Sequence, residues 1–293
     1  MAALPRPQRR GSVNIAYLGG VGSYSELALH AYLATASEDD GSQLCAYPTI
    51  PQVLQALRQQ QVSRAIVPVE NSVQGGVTLA LDSLWELAPL YVWRALVVPI
   101  RHALITQATH LSQIQMVLSH PQGLAQCQVW LATHLPQADL IPVNATTEGL
   151  PQVARDPAIA AIASIQAAEA HGLPVRAAPI NDYADNCTRF WVLGTTPPPP
   201  TPAPTHTSLA FSLRRNIPGA LVQSLSFFAE RSINLSRIES RPTKRSLGEY
   251  IFFLDLEAAS TEPRVAAAIE QLNSHTETLH LFGSYAVTTV TTS

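Results

Sequence analysis

Two glycine-containing loops in the first third of the chain have the residue types that bind anions. The segment at 18–23, LGGVGS, leads from a short apolar run into a helical pattern, and the segment at 68–77, PVENSVQGGV, does the same. Glycine lets the backbone approach a ligand closely, and free N–H groups at the start of the following helix attract a carboxylate or a phosphate. Neither loop has the spacing of a dinucleotide-binding fingerprint or a P-loop. The two loops therefore predict either a ligand with two anionic groups or two ordinary tight turns.

A third candidate segment, at 186–193, reads NCTRFWVL and opens a strand of large apolar residues. Arg189 could hold a carboxylate through two hydrogen bonds, or it could form a structural ion pair. The chain has nine histidines but no His-x-x-x-His spacing, and it has no Gly-x-Ser-x-Gly elbow. These absences give no support to a zinc site or a serine hydrolase.

Two C-terminal segments could contact a small polar ligand. The segment at 216–228, NIPGALVQSLSFF, places Pro-Gly at the start of a helix, and the segment at 234–242, NLSRIESRP, ends a strand in charged and polar residues. Free backbone N–H groups at that helix start suit a carboxylate. An ordinary strand-to-helix turn is the alternative.

The elements around these loops predict an α/β domain followed by a second domain. Ser23 with Glu26 and Thr49 with Gln52 form capping boxes at the starts of two helices. The predicted strands of the first part are Asn14–Leu18, Arg64–Val67, Tyr91–Ile100, His102–Ile105, Met116–Leu118, Asp139–Val143, Ala158–Ala163 and Arg189–Leu193. Their alternation with helices, one of them from Pro121 to about His134, implies mostly parallel sheet in two lobes with a cleft.

The second part has the order β-α-β-β-α-β, which is the ferredoxin-like arrangement. Its strands are predicted at Leu209–Leu213, Ile233–Ile238, Tyr250–Leu256 and Glu277–Val287, with helices at 218–231 and 263–272. Six prolines among residues 197–204 disfavour helix and sheet and predict a stiff linker. We therefore expect domains at 12–195 and 206–290, after an N-terminal tail.

Composition narrows the classes of function. Only 13% of the 293 residues are charged, against about 25% in a typical soluble chain. The formal net charge of −3 argues against a nucleic-acid partner. No apolar run approaches the length of a membrane span, about 18 residues. Three scattered cysteines do not predict a disulfide framework, so the expectation is a cytoplasmic enzyme or binding protein.

Five segments of the first part resemble successive blocks of the prephenate dehydratase family, and the C-terminal part resembles its ACT regulatory domain. The dehydratase-like segments are YLGGVGSYSE at 17–26, VPVENSVQGGV at 67–77, SHPQGLAQCQVWL at 119–131, IASIQAAEAHGL at 162–173 and NCTRFWVLG at 186–194. The ACT-like segments are GALV at 219–222 and ESRP at 239–242. The resemblance covers nearly the whole chain in the family's order.

The resemblance implies a fold and a reaction. The fold is a two-lobed, periplasmic-binding-protein-like dehydratase domain followed by a ferredoxin-like ACT domain. The reaction converts prephenate, a dianion, to phenylpyruvate in phenylalanine synthesis, without a cofactor or a metal. L-Phenylalanine is the implied allosteric effector, and a homodimer or homotetramer is the implied assembly.

The resemblance also implies roles for particular residues. Thr188 is the catalytic residue, because the family's TRF motif makes it essential. The residues implied to bind substrate are Ser23, Asn71, Ser72, Arg189 and Phe190. The residues implied to bind the effector are Asn216, Gly219, Ala220, Leu221, Val222, Glu239, Ser240, Arg241 and Pro242.

The chain departs from the family pattern at three positions near the implied site. Ser23 stands where the family has threonine, Gly76 stands where many members have serine, and Cys187 precedes Thr188. Two other functions stay open. An arogenate dehydratase would use an amino acid in place of the keto acid, and a non-catalytic amino-acid-binding protein would use the ACT domain as a sensor.

Overall fold

The computed structural model describes residues 13–36, 42–199 and 204–291. The predicted N-terminal tail and part of the predicted proline linker, residues 200–203, lie outside the described residues. The strands in chain order are β1 (Asn14–Leu18), β2 (Gln43–Tyr47), β3 (Arg64–Asn71), β4 (Gly75–Gly76), β5 (Tyr91–Pro99), β6 (His102–Thr106), β7 (Met116–Ser119), β8 (Asp139–Pro142), β9 (Ile159–Ser164), β10 (Val175–Ala177), β11 (Cys187–Gly194), β12 (His206–Leu213), β13 (Leu235–Pro242), β14 (Tyr250–Leu256), β15 (Thr276–Tyr285) and β16 (Val287–Thr289). The helices are α1 (Tyr24–Ala36), α2 (Ile50–Arg58), α3 (Thr78–Glu86), α4 (Pro121–Ala125), α5 (Gln128–His134), α6 (Leu150–Val153), α7 (Ile165–Ala170), α8 (Ala220–Ala229) and α9 (Pro263–His275).

The first lobe is built on a sheet with the order β16-β5-β11-β3-β1-β2, to which β4 adds a short pairing with β3. Helix α1 covers one face, where Ile15, Ile66 and Phe190 are buried. Helices α2 and α3 cover the other face, where Val67 and Trp191 are buried. Apolar side chains therefore fill both faces of the sheet, as expected for strands sandwiched between layers.

The second lobe is built on a smaller sheet with the order β10-β6-β9-β7-β8. The chain enters this lobe after β5 and returns through β11, which lies antiparallel between β3 and β5. The expectation of mostly parallel sheet is wrong in this respect. Both sheets are mixed, since β11 runs back into the first sheet and β6 pairs antiparallel with β9.

The helix predicted from Pro121 to about His134 is two helices. The Asp182 carboxylate accepts hydrogen bonds from the backbone N–H groups of Val129 (2.9 Å) and Trp130 (3.1 Å), so it caps the start of α5. This distant cap favours a new helix start at that point. The break leaves Gln126 at the end of α4.

The C-terminal domain has the predicted β-α-β-β-α-β order, with an antiparallel sheet of order β13-β14-β12-β15. Helices α8 and α9 cover one face of this sheet. The other face packs on the first lobe, where Phe282 and Tyr285 contact Trp191. The last strand of this domain, predicted to run to Val287, ends at Tyr285 in the structure. The chain then continues as β16, which pairs with β5 of the first lobe. The C-terminal domain is thus joined to the first lobe by a shared core and a shared sheet.

Among the described residues, no helix is long and apolar enough to cross a membrane.

In both predicted capping boxes the cap hydroxyl accepts a hydrogen bond from the backbone N–H three residues later. Ser23 Oγ accepts from the Glu26 N–H at 3.2 Å, and Thr49 Oγ1 accepts from the Gln52 N–H at 3.4 Å. The Glu26 carboxylate accepts from the N–H of Gly22, the residue before the cap, at 2.6 Å. These bonds fix the start of α1 beside the cleft.

Gly22 of the first lobe lies directly against helix α7 of the second lobe. Its φ is +81°, and a Cβ placed on it would overlap the Cα of Ala167 in α7. The Ser164 hydroxyl donates to the Gly22 carbonyl at 2.6 Å. The glycine loop of the first lobe therefore rests on the start of a second-lobe helix.

Gly22→Ala should lower the free energy of unfolding by more than about 2 kcal/mol, because the added methyl meets backbone as well as an unfavourable φ. Gly75→Ala is the matched control, since Gly75 has a φ of +78° but open space around its Cβ position. We expect it to cost only about 1 kcal/mol. Urea unfolding of the two variants measures the difference. Equal losses would show that lobe contact at Gly22 is unimportant.

Candidate active site

Thr188 lies at the start of β11, at the junction of the two lobes. Its register partners are Asn71 at the end of β3 and Val98 near the end of β5. The Asn71 Nδ2 group donates to Thr188 Oγ1 at 3.0 Å. The threonine hydroxyl therefore accepts one hydrogen bond from the protein and keeps its own proton for another partner.

The orientation of the Asn71 side chain is fixed by backbone groups. Its Oδ1 accepts from the N–H groups of Val73 (3.0 Å) and Gln74 (3.1 Å). Its Nδ2 donates to the Cys187 carbonyl at 3.1 Å and to Asn186 Oδ1 at 2.8 Å. Since backbone N–H groups only donate and backbone carbonyls only accept, the amide cannot be reversed.

The second lobe contributes two buried side chains that sequence reasoning did not single out. Gln126 donates from Nε2 to Asn71 Oδ1 at 3.3 Å and accepts at Oε1 from Asn186 Nδ2 at 2.9 Å. His102 Nε2 lies 2.9 Å from the same Gln126 Oε1. We call Asn71, His102, Gln126, Asn186 and Thr188 the lobe-junction network. Gln126 and Asn186 lie within segments that resemble the family, but position alone did not distinguish them from their neighbours.

The electrostatics of the lobe-junction network are those of neutral hydrogen-bonding groups. All five of its side chains are buried. Burial lowers the pKa of His102, although the hydrogen bond to Gln126 opposes that shift. The neighbouring Tyr24 hydroxyl lies 3.3 Å from His102 Nδ1 and donates to the Arg101 carbonyl at 2.8 Å, and burial raises its pKa. Such a site can orient and polarise a substrate, but its amides and hydroxyl are too weakly acidic to supply a free proton.

Arg189 points away from the cleft. It donates from Nη1 to Asp255 Oδ2 of β14 at 2.8 Å, and Glu70 lies 3.5 Å from the same nitrogen. Adjacent residues of a strand face opposite sides of the sheet, so Thr188 and Arg189 cannot both face the substrate. The structure shows the ion pair, which was the alternative for Arg189, and substrate binding by Arg189 stays a prediction.

The other residues implied to bind substrate occupy different environments. Phe190 is 2% exposed and packs in the core under α1. Ser23 caps α1 and also donates to the Leu18 carbonyl at 3.3 Å. Ser72 is exposed, and its Oγ accepts from the Cys187 N–H at 3.0 Å. Substrate contacts by Ser23 and Ser72 stay predictions.

The first glycine loop uses several of its N–H groups within the protein. Gly19 donates to the Tyr47 carbonyl, Ser23 to the Gly20 carbonyl and Gly22 to Glu26. In the second loop, Val77 donates to the Val69 carbonyl. Both loops are therefore well-bonded turns, and their use as anion sites stays a prediction.

The residues implied to bind the effector lie on two elements of the C-terminal domain. Gly219, with a φ of +82°, precedes α8, and Ala220, Leu221 and Val222 form its first turn. Asn216 donates to the Gly248 carbonyl at 2.9 Å and lines a pocket of about 200 Å³. Glu239, Ser240, Arg241 and Pro242 end β13, which is an edge strand.

Arg241 is engaged with the first lobe. It donates from Nε to Asp82 Oδ1 of α3 at 2.9 Å, and this bond lowers the pKa of Asp82. Lys244 lies 3.1 Å from the other Asp82 oxygen. One segment implied to sense the effector is thus in direct contact with the catalytic part of the chain.

The chain matches the family model "Prephenate dehydratase" over residues 15–198 and the model "ACT domain" over residues 207–274. The prephenate dehydratase of Mycobacterium sp. (strain JLS) is 36% identical over 278 residues, which cover 92% of this chain and 88% of that protein. These matches span both domains.

Two solved structures extend the comparison. A prephenate dehydratase from Arthrobacter aurescens in complex with L-Phe has a TM-score of 0.84 and 34% identity, covering 94% of this chain and 90% of that one. A protein described as a novel type of quorum quenching acylase has a TM-score of 0.78 and 26% identity, covering 94% of this chain and 98% of that one. With more than half of the chain in one family model and a relative 36% identical over 92% of its length, this chain belongs to the prephenate dehydratase family and carries a C-terminal ACT domain.

Proposed function

We propose that the chain converts prephenate to phenylpyruvate, with Thr188 as the residue that acts on the leaving hydroxyl. The single observation that carries the proposal is the bond from Asn71 to Thr188 Oγ1, which leaves the threonine proton directed elsewhere. A hydroxyl prepared in this way, at the junction of two lobes, suits a substrate that must lose a hydroxyl group.

The reaction makes modest demands on the protein. The bond between the ring and its carboxylate breaks, CO2 leaves, and the electron pair enters the ring while the C–O bond of the ring hydroxyl breaks. Hydroxide departs and becomes water by taking a proton from solvent. Aromatisation supplies the driving force, so Thr188 need only stabilise the charge that develops on the departing oxygen, which is typically worth a few kcal/mol.

The same geometry argues against an acyl-enzyme mechanism for this site. A threonine nucleophile needs a base that takes its proton. Here the neighbour of Thr188 Oγ1 is an amide donor, Asn71, and not a base. The resemblance to a structure described as an acylase therefore does not give Thr188 a second role.

Turnover by the purified chain, compared on prephenate and arogenate, tests the proposed function. Formation of phenylpyruvate from prephenate with the higher kcat/KM supports the proposal. Preference for arogenate would make the chain an arogenate dehydratase, and no turnover of either substrate would make it a binding protein.

Thr188→Ala should lower kcat by at least about 10²-fold, because the hydrogen bond to the leaving oxygen is lost. Thr188→Ser is the matched control, since serine keeps the hydroxyl, and should retain most of the activity. Steady-state kinetics with thermal unfolding checks that folding is unchanged. Full activity in the alanine variant would remove Thr188 from the mechanism.

We further propose that L-phenylalanine is the effector and that it binds at the segments Asn216–Val222 and Glu239–Pro242. The ACT domain and the relative crystallised with L-Phe support this assignment. Val222 of α8 is 71% exposed and Ile238 of β13 is 50% exposed. Apolar exposure beside an edge strand supports pairing with a second copy in a homodimer or homotetramer.

We also propose a cytoplasmic location and keep the domain division at 12–195 and 206–290. Cys45, Cys127 and Cys187 are free thiols, which suits a reducing compartment. Burial raises the pKa of the Cys127 thiol to about 12, so it stays unreactive at neutral pH.

An ion-pair cluster supports coupling between the ACT domain and the active site. Arg189 follows Thr188, and Glu70 precedes Asn71, so both charges adjoin catalytic positions. Asp255 of β14 bonds Arg189 and also accepts from the Ser208 hydroxyl. Arg237 of β13 lies 3.6 Å from Asp255 and 3.9 Å from Glu70.

Arg237 is the member of this cluster whose guanidinium is only partly hydrogen-bonded. Its side chain is 4% exposed, and its Nε and Nη1 atoms have no hydrogen-bond partner among the described residues. Partly satisfied buried charges are costly, so a small shift of β13 that improved these bonds would be favoured. Since β13 ends in Glu239–Pro242, an effector bound there can bias the cluster.

Asp255→Asn should change the phenylalanine concentration for half-maximal response by at least about fivefold, because the charge that links Arg189 to Arg237 is removed. Without effector, kcat should stay within about threefold of the parent value. Glu257→Gln is the control, since Glu257 bonds Asn234 at the surface. Activity measured against phenylalanine concentration gives the result. An unchanged response in Asp255→Asn would exclude the cluster from regulation.

A further inference from the structure

The Gln126 side-chain oxygen has two nitrogen neighbours within hydrogen-bond distance. Asn186 Nδ2 approaches it at 2.9 Å, and His102 Nε2 also approaches it at 2.9 Å. The His102 ring is 3% exposed and Gln126 is 5% exposed, so no bulk water competes for these bonds. Gln126 is in turn the second-lobe group that donates to Asn71.

The donor and the acceptor of each hydrogen bond from Asn71 to His102 follow from the backbone groups at Asn71. Because Asn71 Oδ1 accepts from two backbone N–H groups, its Nδ2 must donate, and Asn186 must present its oxygen to it. Asn186 Nδ2 then donates to Gln126, which must present Oε1. A carbonyl oxygen only accepts, so the His102 Nε2 atom facing it carries a hydrogen.

We propose that His102 is a positioning residue for the dehydration reaction, whose Nε2–H holds Gln126 Oε1 and so keeps the second-lobe bond to Asn71, the residue that donates to Thr188. This inference rests on the proposed function and adds a residue to it. His102 is at the start of β6, in the second lobe, whereas Thr188 and Asn71 are in the first lobe. The residue therefore links the second lobe, through Gln126 and Asn71, to the hydroxyl of Thr188.

Loss of the His102 donor has a definite consequence. Gln126 Oε1 would keep only the bond from Asn186, and the amide could rotate away from Asn71. A rotated Gln126 removes one of the three donors to Asn71 Oδ1. The Asn71 side chain would then hold Thr188 less firmly, and small misplacements of a reacting group reduce the rate steeply.

The neutral form of His102 suits this role. Burial lowers its pKa, so one ring nitrogen carries a hydrogen and the other does not. With Nε2 protonated, the ring packs edge-on against the Tyr24 ring, while the Tyr24 hydroxyl gives its one proton to the Arg101 carbonyl at 2.8 Å and makes no hydrogen bond to Nδ1, 3.3 Å away. Tyr24 thus supports the ring from the first lobe without supplying a charge.

Steady-state kinetics on prephenate with three variants of the full chain tests the proposal. His102→Leu keeps the approximate size but removes the donor, and should lower kcat at least about tenfold while KM changes less than about threefold. His102→Gln can place a side-chain N–H where Nε2 lies, and should recover most of the loss. His134→Leu is the matched control, since His134 is an exposed residue at the end of α5, bonded to the Trp130 carbonyl of its own helix, and should behave as the parent.

Three kinetic results would overturn the proposal. Parental kcat in His102→Leu would do so, and so would a raised KM with unchanged kcat, which indicates ground-state binding. Equal losses in His102→Gln and His102→Leu would show that the donor is irrelevant. If His102→Leu does not fold, His102→Asn replaces it, because asparagine keeps a polar group but is too short to place a donor at the Nε2 position.

A second measurement is independent of turnover and so separates this proposal from the proposed function. In the full chain labelled with 15N-histidine, NMR should show His102 as the Nε2–H tautomer, with a ring proton protected from solvent exchange. The Nδ1–H tautomer or a charged ring would overturn the proposal even if prephenate is turned over. If the expected tautomer is present but prephenate is not turned over, the proposed function fails while the hydrogen-bond assignment stands.

Discussion

The side-chain amide of Asn71 joins three segments that are far apart in the chain. Its oxygen accepts from two N–H groups of its own loop and from Gln126 of the second lobe, and the two hydrogens of its nitrogen are shared among Thr188, Asn186 and the Cys187 carbonyl. With Asn71 oriented in this way, the five described side chains of the lobe-junction network are joined by hydrogen bonds between amides, a hydroxyl and an imidazole. Buried polar networks are stabilising only when their members are satisfied, so this arrangement depends on every one of them.

Because side chains alternate along β11, the two faces of this strand contact different parts of the molecule. Thr188 faces the lobe junction, while Arg189 reaches Asp255 of the ACT domain. Beyond them, Phe190 packs under α1 and Trp191 packs against Phe282 of the ACT domain. A single strand therefore carries the hydroxyl proposed to be catalytic and contacts to the ACT domain, and under this proposal a change in the ACT sheet acts on the strand that positions Thr188.

Local patterns in the sequence predicted the elements and the turns well. The caps at Ser23 and Thr49 and the order of the ACT elements follow from residue types within a few positions of one another. The resemblance to the family, carried by short segments in order, predicted the fold and the reaction, and the comparisons confirm the family. Short edge strands such as β2 and β10 were missed because their neighbours lie elsewhere in the chain.

What the sequence could not supply were pairings between distant residues. Arg189 forms an ion pair with Asp255, which lies 66 positions away in the sequence on a strand that packs behind it, so no local pattern could predict the pair. The break between α4 and α5, which leaves Gln126 at the end of α4, depends on Asp182, more than 50 positions away in the sequence. His102 acquires its role only through Gln126, so no local signal marks it.

A crystal structure of the full chain with an unreactive prephenate analogue tests the central claim most directly. The claim is that one strand presents Thr188 to the substrate and Arg189 to the ACT domain. We predict a hydrogen bond of about 2.8 Å from Thr188 Oγ1 to the ring hydroxyl of the analogue, with Arg189 still paired to Asp255. An analogue bound through Arg189, with Thr188 out of hydrogen-bond reach of the ring hydroxyl, would contradict the account.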